Sequence, residues 1–115
     1  MNKIIKMAIK EINKNVIPKI PIKTYKVISI YRKGDYLGYY ADGSYDDITT
    51  IKLNISQIKK SDFEYPNIGL YGIILSTILH ELGHALQEFN EKCYNEEEAE
   101  SFAYDYCHFG RINKI

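Results

Sequence analysis

Residues 68–91 read IGLYGIILSTILHELGHALQEFNE, and the architecture turns on this stretch. Leu75, Ile78, Leu79, Leu82, Leu86 and Phe89 recur at three- and four-residue intervals, which makes one apolar stripe along a helix. His80, Glu81 and His84 fall inside that helix as an HExxH motif. Histidines at i and i+4 leave the same helix face one turn apart, where two imidazole nitrogens can meet one metal ion at about 2.0–2.1 Å. The glutamate after the first histidine points toward the same cleft. It suits the role of a base acting on a polarised water better than that of a ligand. With this composition, a chance HExxH match anywhere in the chain has a probability of about 0.006.

Upstream, Ile4, Ile5, Ala8, Ile9, Ile12 and Val16 lie at helical spacing across residues 3–17, with Lys3, Lys6, Lys10 and Lys14 on the other face. Pro18 and Pro21 end this amphipathic helix. Three segments then read as strands: YKVISIYR from Tyr25 to Arg32, YLGYYA from Tyr36 to Ala41, and ITTIKLNI from Ile48 to Ile55. Turn signals at Lys33-Gly34-Asp35 and Asp42-Gly43-Ser44 separate them, which suggests a small three-stranded antiparallel sheet with the second strand paired to the first. Ser56 to Asn67, with Pro66, reads as a polar connection with room for a helical turn.

Downstream, Asn90 to Asn95 breaks the helix, and Glu96 to His108 resumes as a helix with acids in its first turn, ended by Gly110. A catalytic metal site needs a third protein ligand and an open position for water. Glu96, Glu97 and Glu100 of the string EEEAE, and the Cys93 thiolate before it, are the nearby options. Glu96 and Glu100 share a helix face, whereas Glu97 points about 100° away. Glu97 and Glu98 read as solvated first-turn acids. Gly83 suits a close approach by the final helix, where Ala85, Ala99 and Ala103 also fit. Tyr104 and His108, one turn apart, are candidates for stabilising an oxyanion or touching substrate; Tyr106 and Arg111 are further options.

The bulk properties narrow the class. The 115 residues suit one domain, 1–115, and equal numbers of acidic and basic residues, 15 each, speak against a nucleic-acid partner. Met1 to Ile12 carries Lys6 and Lys10 within its apolar pattern, so it reads as no secretory leader. Ile68 to Leu79 is too short to span a bilayer. Two cysteines, Cys93 and Cys107, are too few for a disulfide framework, and a cytoplasmic protein is the expectation.

From HELGH onward the chain resembles the gluzincin metallopeptidases. In these, the helix after HExxH carries a glutamate ligand and, four residues on, an acidic or amide residue that braces a ligating histidine. Glu96, Ala99 and Glu100 match those places. Extended through Phe102 and Ala103, EEEAESFA is similar to the ImmA/IrrE-like metallopeptidases, and the element order resembles the minigluzincins. The resemblance spans residues 75–104. It implies zinc held by His80, His84 and Glu96, with Glu100 behind a histidine and Glu81 as general base. It also implies a small α+β zincin-like domain acting on a peptide or protein substrate. A peptide lying along the Ile48–Ile55 strand, taken as the sheet edge, completes the expectation. The competing reading is a metal-binding but catalytically silent regulatory protein; a metal-free structural domain is a third.

Overall fold

The computed structural model describes residues 1–31, 38–41 and 49–106. Along them run α1 (Asn2–Asn15), a 3₁₀ turn (Ile17–Lys19), β1 (Tyr25–Ile30), β2 (Gly38–Ala41), β3 (Thr49–Asn54), α2 (Ile55–Glu64), α3 (Gly69–Phe89) and α4 (Glu96–Tyr106). The turn signals at Lys33-Gly34-Asp35 and Asp42-Gly43-Ser44 lie outside the described residues, as does the segment from Cys107 to Ile115 with His108, Gly110 and Arg111.

The amphipathic pattern of α1 is realised: Ile5, Ala8, Ile12 and the following Val16 are buried, while Lys3, Lys6, Lys10 and Lys14 face solvent. The buried stripe packs on α3. Pro18 sits within the 3₁₀ turn, where its fixed φ is compatible and its missing N–H costs no helix bond. The Tyr25 hydroxyl donates to Asn13 Oδ1 at 2.8 Å and fastens the start of β1 to α1.

The sheet corrects the sequence reading. The three strands lie in the order β1-β3-β2, not in chain order. β1 runs parallel to β3 from Tyr25 beside Thr49 to Ile30 beside Asn54. β2 runs antiparallel to β3, with Gly38 beside Leu53 and Ala41 beside Thr50. The sheet is therefore mixed rather than antiparallel, and β2 pairs with β3 instead of β1. The physical reason is burial. β3 contributes Thr50, Ile51, Leu53 and Asn54 to the interior, so it takes the central place. β1 leaves Lys26, Ile28 and Ser29 exposed, as an edge strand can. Placing the Ile48–Ile55 strand at the edge was thus incorrect.

The second correction is α2, a helix of 10 residues where the sequence reads as a polar connection with room for only a helical turn. Only Ile55 and Ile58 anchor it in the core, and Phe63 near its end is 87% exposed, so its apolar periodicity is thin. Gly69 opens α3 with φ of 79°, a left-handed conformation that favours glycine.

α3 is the axis of the molecule. It packs against α1, α2, α4, β2 and β3. Ile74, Ile78, Leu79 and Leu82 are wholly buried, together with Ile51 and Leu53 of β3 and Ile55 and Ile58 of α2. Each such side chain contributes roughly 1.5–3 kcal/mol of burial free energy, so the helix bearing HExxH is firmly supported. Phe89, placed on the same stripe by its spacing, is 59% exposed, since the helix end runs past its packing partners. No helix among the described residues is long and apolar enough to cross a membrane.

Candidate metal centre

α4 folds back along α3 at very short range, and Gly83 makes that possible. A Cβ built at Gly83 would lie 3.0 Å from Ala99 Cα and 3.2 Å from both Ala99 Cβ and Ala99 O. A side chain there meets backbone, which cannot simply rotate away. Ala99 and Ala103 are wholly buried on the facing side of α4. The approach carries Glu96 and Glu100 to the histidine face of α3. Asn95 starts α4 as its N-cap: its Oδ1 accepts the Glu98 N–H at 2.9 Å. The three first-turn acids are favoured there by the helix dipole.

His80, His84 and Glu96 converge. Their ligand atoms lie within 4.8 Å of one another, a grouping that can hold a metal ion. His80 Nε2 is 3.2 Å from His84 Nε2. The Glu96 carboxylate spans the pair, with Oε2 at 3.0 Å from His80 Nε2 and Oε1 at 2.8 Å from His84 Nε2. Glu97 and Cys93 stand outside this group, and both are exposed.

The outer faces of the two imidazoles are also engaged. His80 Nδ1 lies 2.7 Å from Glu100 Oε1, and a carboxylate can only accept there, so His80 donates Nδ1–H. His84 Nδ1 lies 2.9 Å from Gln87 Oε1. Tyr94 stacks flat on the His84 ring, at 4.2 Å between centroids and 4° between planes, and its hydroxyl donates to Glu96 Oε1. With Nδ1 on both rings turned outward, both Nε2 atoms and a carboxylate face one small volume. That crowding is relieved by a cation, and two imidazoles with one carboxylate suit a divalent ion such as zinc. The donor set fits the group that the motif implies.

Electrostatics follow the same geometry. Burial pushes the His80 pKa down, but the Glu100 hydrogen bond and the nearby charges of Glu81, Glu100 and Glu96 outweigh it and leave it above its ordinary value. The hydrogen bond from Tyr94 holds the Glu96 carboxyl below its ordinary value, against a smaller upward push from burial, with help from both histidines. Glu81 is buried beside His80 on α3.

The remaining sequence candidates separate. Tyr104 is half-buried and stands on the Glu96–Glu100 face of α4, one turn beyond Glu100. Its partner in that expectation, His108, is outside the described residues. Gln87 and Tyr94 were not foreseen. A glutamine near a helix end and a tyrosine in a polar loop carry no local signal; only Tyr94's place two residues before Glu96 offered a hint. Compared with known proteins, the chain matches no family model, no curated protein and no solved structure.

Proposed function

We propose that this chain is a zinc-dependent peptidase of the gluzincin type, similar to the ImmA/IrrE-like enzymes. The observation that carries the reading is the convergence of His80 Nε2, His84 Nε2 and the Glu96 carboxylate, with Glu81 buried on the same helix. When bound, zinc supplies Lewis acidity that polarises a water and a peptide carbonyl. His80, His84 and Glu96 hold the ion. Glu100 keeps the His80 Nε2 lone pair turned inward by accepting Nδ1–H. Glu81 takes a proton from the attacking water and passes it to the leaving amine nitrogen, so the C–N bond breaks as a C–O bond forms.

The substrate is an extended peptide. Among the described residues β2 lies at a sheet edge and packs beside α3, so its outer main-chain groups suit pairing with an added strand. The exposed Cys93, free among the described residues, accords with a reducing intracellular compartment.

The test is cleavage of an unstructured protein such as casein by zinc-loaded protein, compared with Glu81→Gln. Zinc-dependent cleavage lost in the variant, with zinc retained, is the expected result. Cleavage of equal rate in the variant removes Glu81 from the mechanism. Zinc binding without cleavage in either protein favours the silent regulatory reading.

A further inference from the structure

We propose that Gln87 is the positioning residue of His84: its amide selects the ring nitrogen that faces the metal, and the same amide fastens the loop that delivers Glu96. The inference rests on the metal-site reading above and names a role that HExxH does not contain.

Gln87 is 3% exposed, in the last turn of α3. Its amide makes three contacts. Nε2 donates to the Asn95 carbonyl at 2.7 Å. Oε1 accepts the Asn95 N–H at 3.2 Å and faces His84 Nδ1 at 2.9 Å. The two backbone groups of Asn95 settle which end of the amide is oxygen, because a carbonyl only accepts and an N–H only donates. The group turned to His84 is therefore an acceptor, and Nδ1 must carry the proton. Nε2, which is 3.2 Å from His80 Nε2 and 2.8 Å from Glu96 Oε1, is then the nitrogen left to ligate a metal.

The two histidines consequently have unequal supports. His80 rests on a carboxylate and His84 on a neutral amide. The amide also does what a carboxylate cannot, since it donates to a backbone carbonyl. One buried side chain thus joins the second ligand, His84, to the residue just before the third, Glu96. Loss of an outer-sphere partner of this kind costs about 10–100-fold in metal affinity.

Long-range ¹H–¹⁵N NMR of the histidine rings tests the assignment. In zinc-loaded protein, His84 is expected to bear its proton on Nδ1 with zinc at Nε2, and in metal-free protein the neutral ring is expected to keep Nδ1–H. Zinc at Nδ1, or a neutral metal-free ring protonated at Nε2, overturns the proposal. In Gln87→Leu the Nδ1 preference of His84 is expected to be lost while that of His80 persists, with zinc affinity down about 10–100-fold. Gln87→Glu keeps an acceptor at Nδ1 and is expected to retain the tautomer and bind zinc more tightly than Gln87→Leu. If Gln87→Leu does not fold, the tautomers of the unaltered protein and of Gln87→Glu decide. A folded Gln87→Leu with unchanged tautomer and affinity contradicts the proposal. If the unaltered protein takes up no zinc, the metal reading fails, and the metal-free tautomer still decides the role of Gln87.

Discussion

The two ring nitrogens of His80 are used differently. Nδ1 donates to Glu100, and Nε2 faces His84 and Glu96. Glu100→Gln replaces a charged acceptor with a neutral one, and zinc affinity is expected to fall roughly tenfold or more, measured by competition with a chromophoric chelator. The metal-free melting temperature should change little, because Glu100 is part-exposed. Protonation competes with metal at the same atoms. In metal-free protein the His80 pKa is raised, so its contribution to stability is full below its ordinary value of 6.5 and is lost as pH rises through the higher folded value. The Glu96 pKa is lowered, so its contribution is present above its ordinary 4.5 and is lost as pH falls through the lower folded value. Zinc affinity moves the other way from the His80 contribution, rising as pH climbs through the raised folded value and His80 gives up its proton. Calorimetry of zinc binding from about pH 6 to about pH 8 checks the direction. Tyr94→Phe keeps the ring over His84 but removes the hydroxyl from Glu96. It should bring the Glu96 carboxyl back up toward its ordinary value and move the acid limit of zinc binding to higher pH.

Among the elements, the contact between α3 and α4 governs the site. Gly83→Ala gains about 1 kcal/mol of intrinsic helix propensity. It also drives a methyl group into the Ala99 backbone, and overpacking of this kind costs roughly 1–3 kcal/mol. The second effect should win: denaturant unfolding is expected to show a net loss, with weakened zinc binding because α4 carries both Glu96 and Glu100. Greater stability in Gly83→Ala would show that the helices can move apart freely. Asn95→Ala removes the cap on Glu98 N–H and should cost about 1 kcal/mol by the same measurement. The same elements show which parts of the sequence could be read. α1, α3 and α4 announce themselves because helical periodicity is local, and i, i+4 spacing alone brings His80 and His84 together. Strand pairing is not local. Nothing near Thr49 says that β3 inserts between β1 and β2; its greater burial than β1 accords with the central place. α2 stayed hidden because two isoleucines carry its packing.

Across the whole molecule, the third ligand depends on tertiary structure. Helix spacing sets Glu97 apart and the resemblance points to Glu96 and Glu100, but it is the seating of α4 on Gly83 that brings Glu96 between the histidines while Glu100 goes behind His80. Gln87 was illegible for the same reason, since its partners are a ring on its own helix and the backbone of a loop eight residues away. Metal binding should therefore stabilise the entire fold. Zinc at a free concentration of about 1,000 times its dissociation constant adds about 4 kcal/mol, so a chelator should lower the melting temperature by roughly 15 °C. The proposed function depends on His80, His84 and Glu96 holding one ion. A crystal structure of zinc-soaked protein, with anomalous diffraction recorded at the zinc edge, is the decisive measurement. One peak per chain is expected, bound by both Nε2 atoms and the Glu96 carboxylate, with Glu97 and Cys93 uninvolved. A peak ligated by the Cys93 thiolate or by Glu97, or no peak between the two histidines, would overturn the assignment.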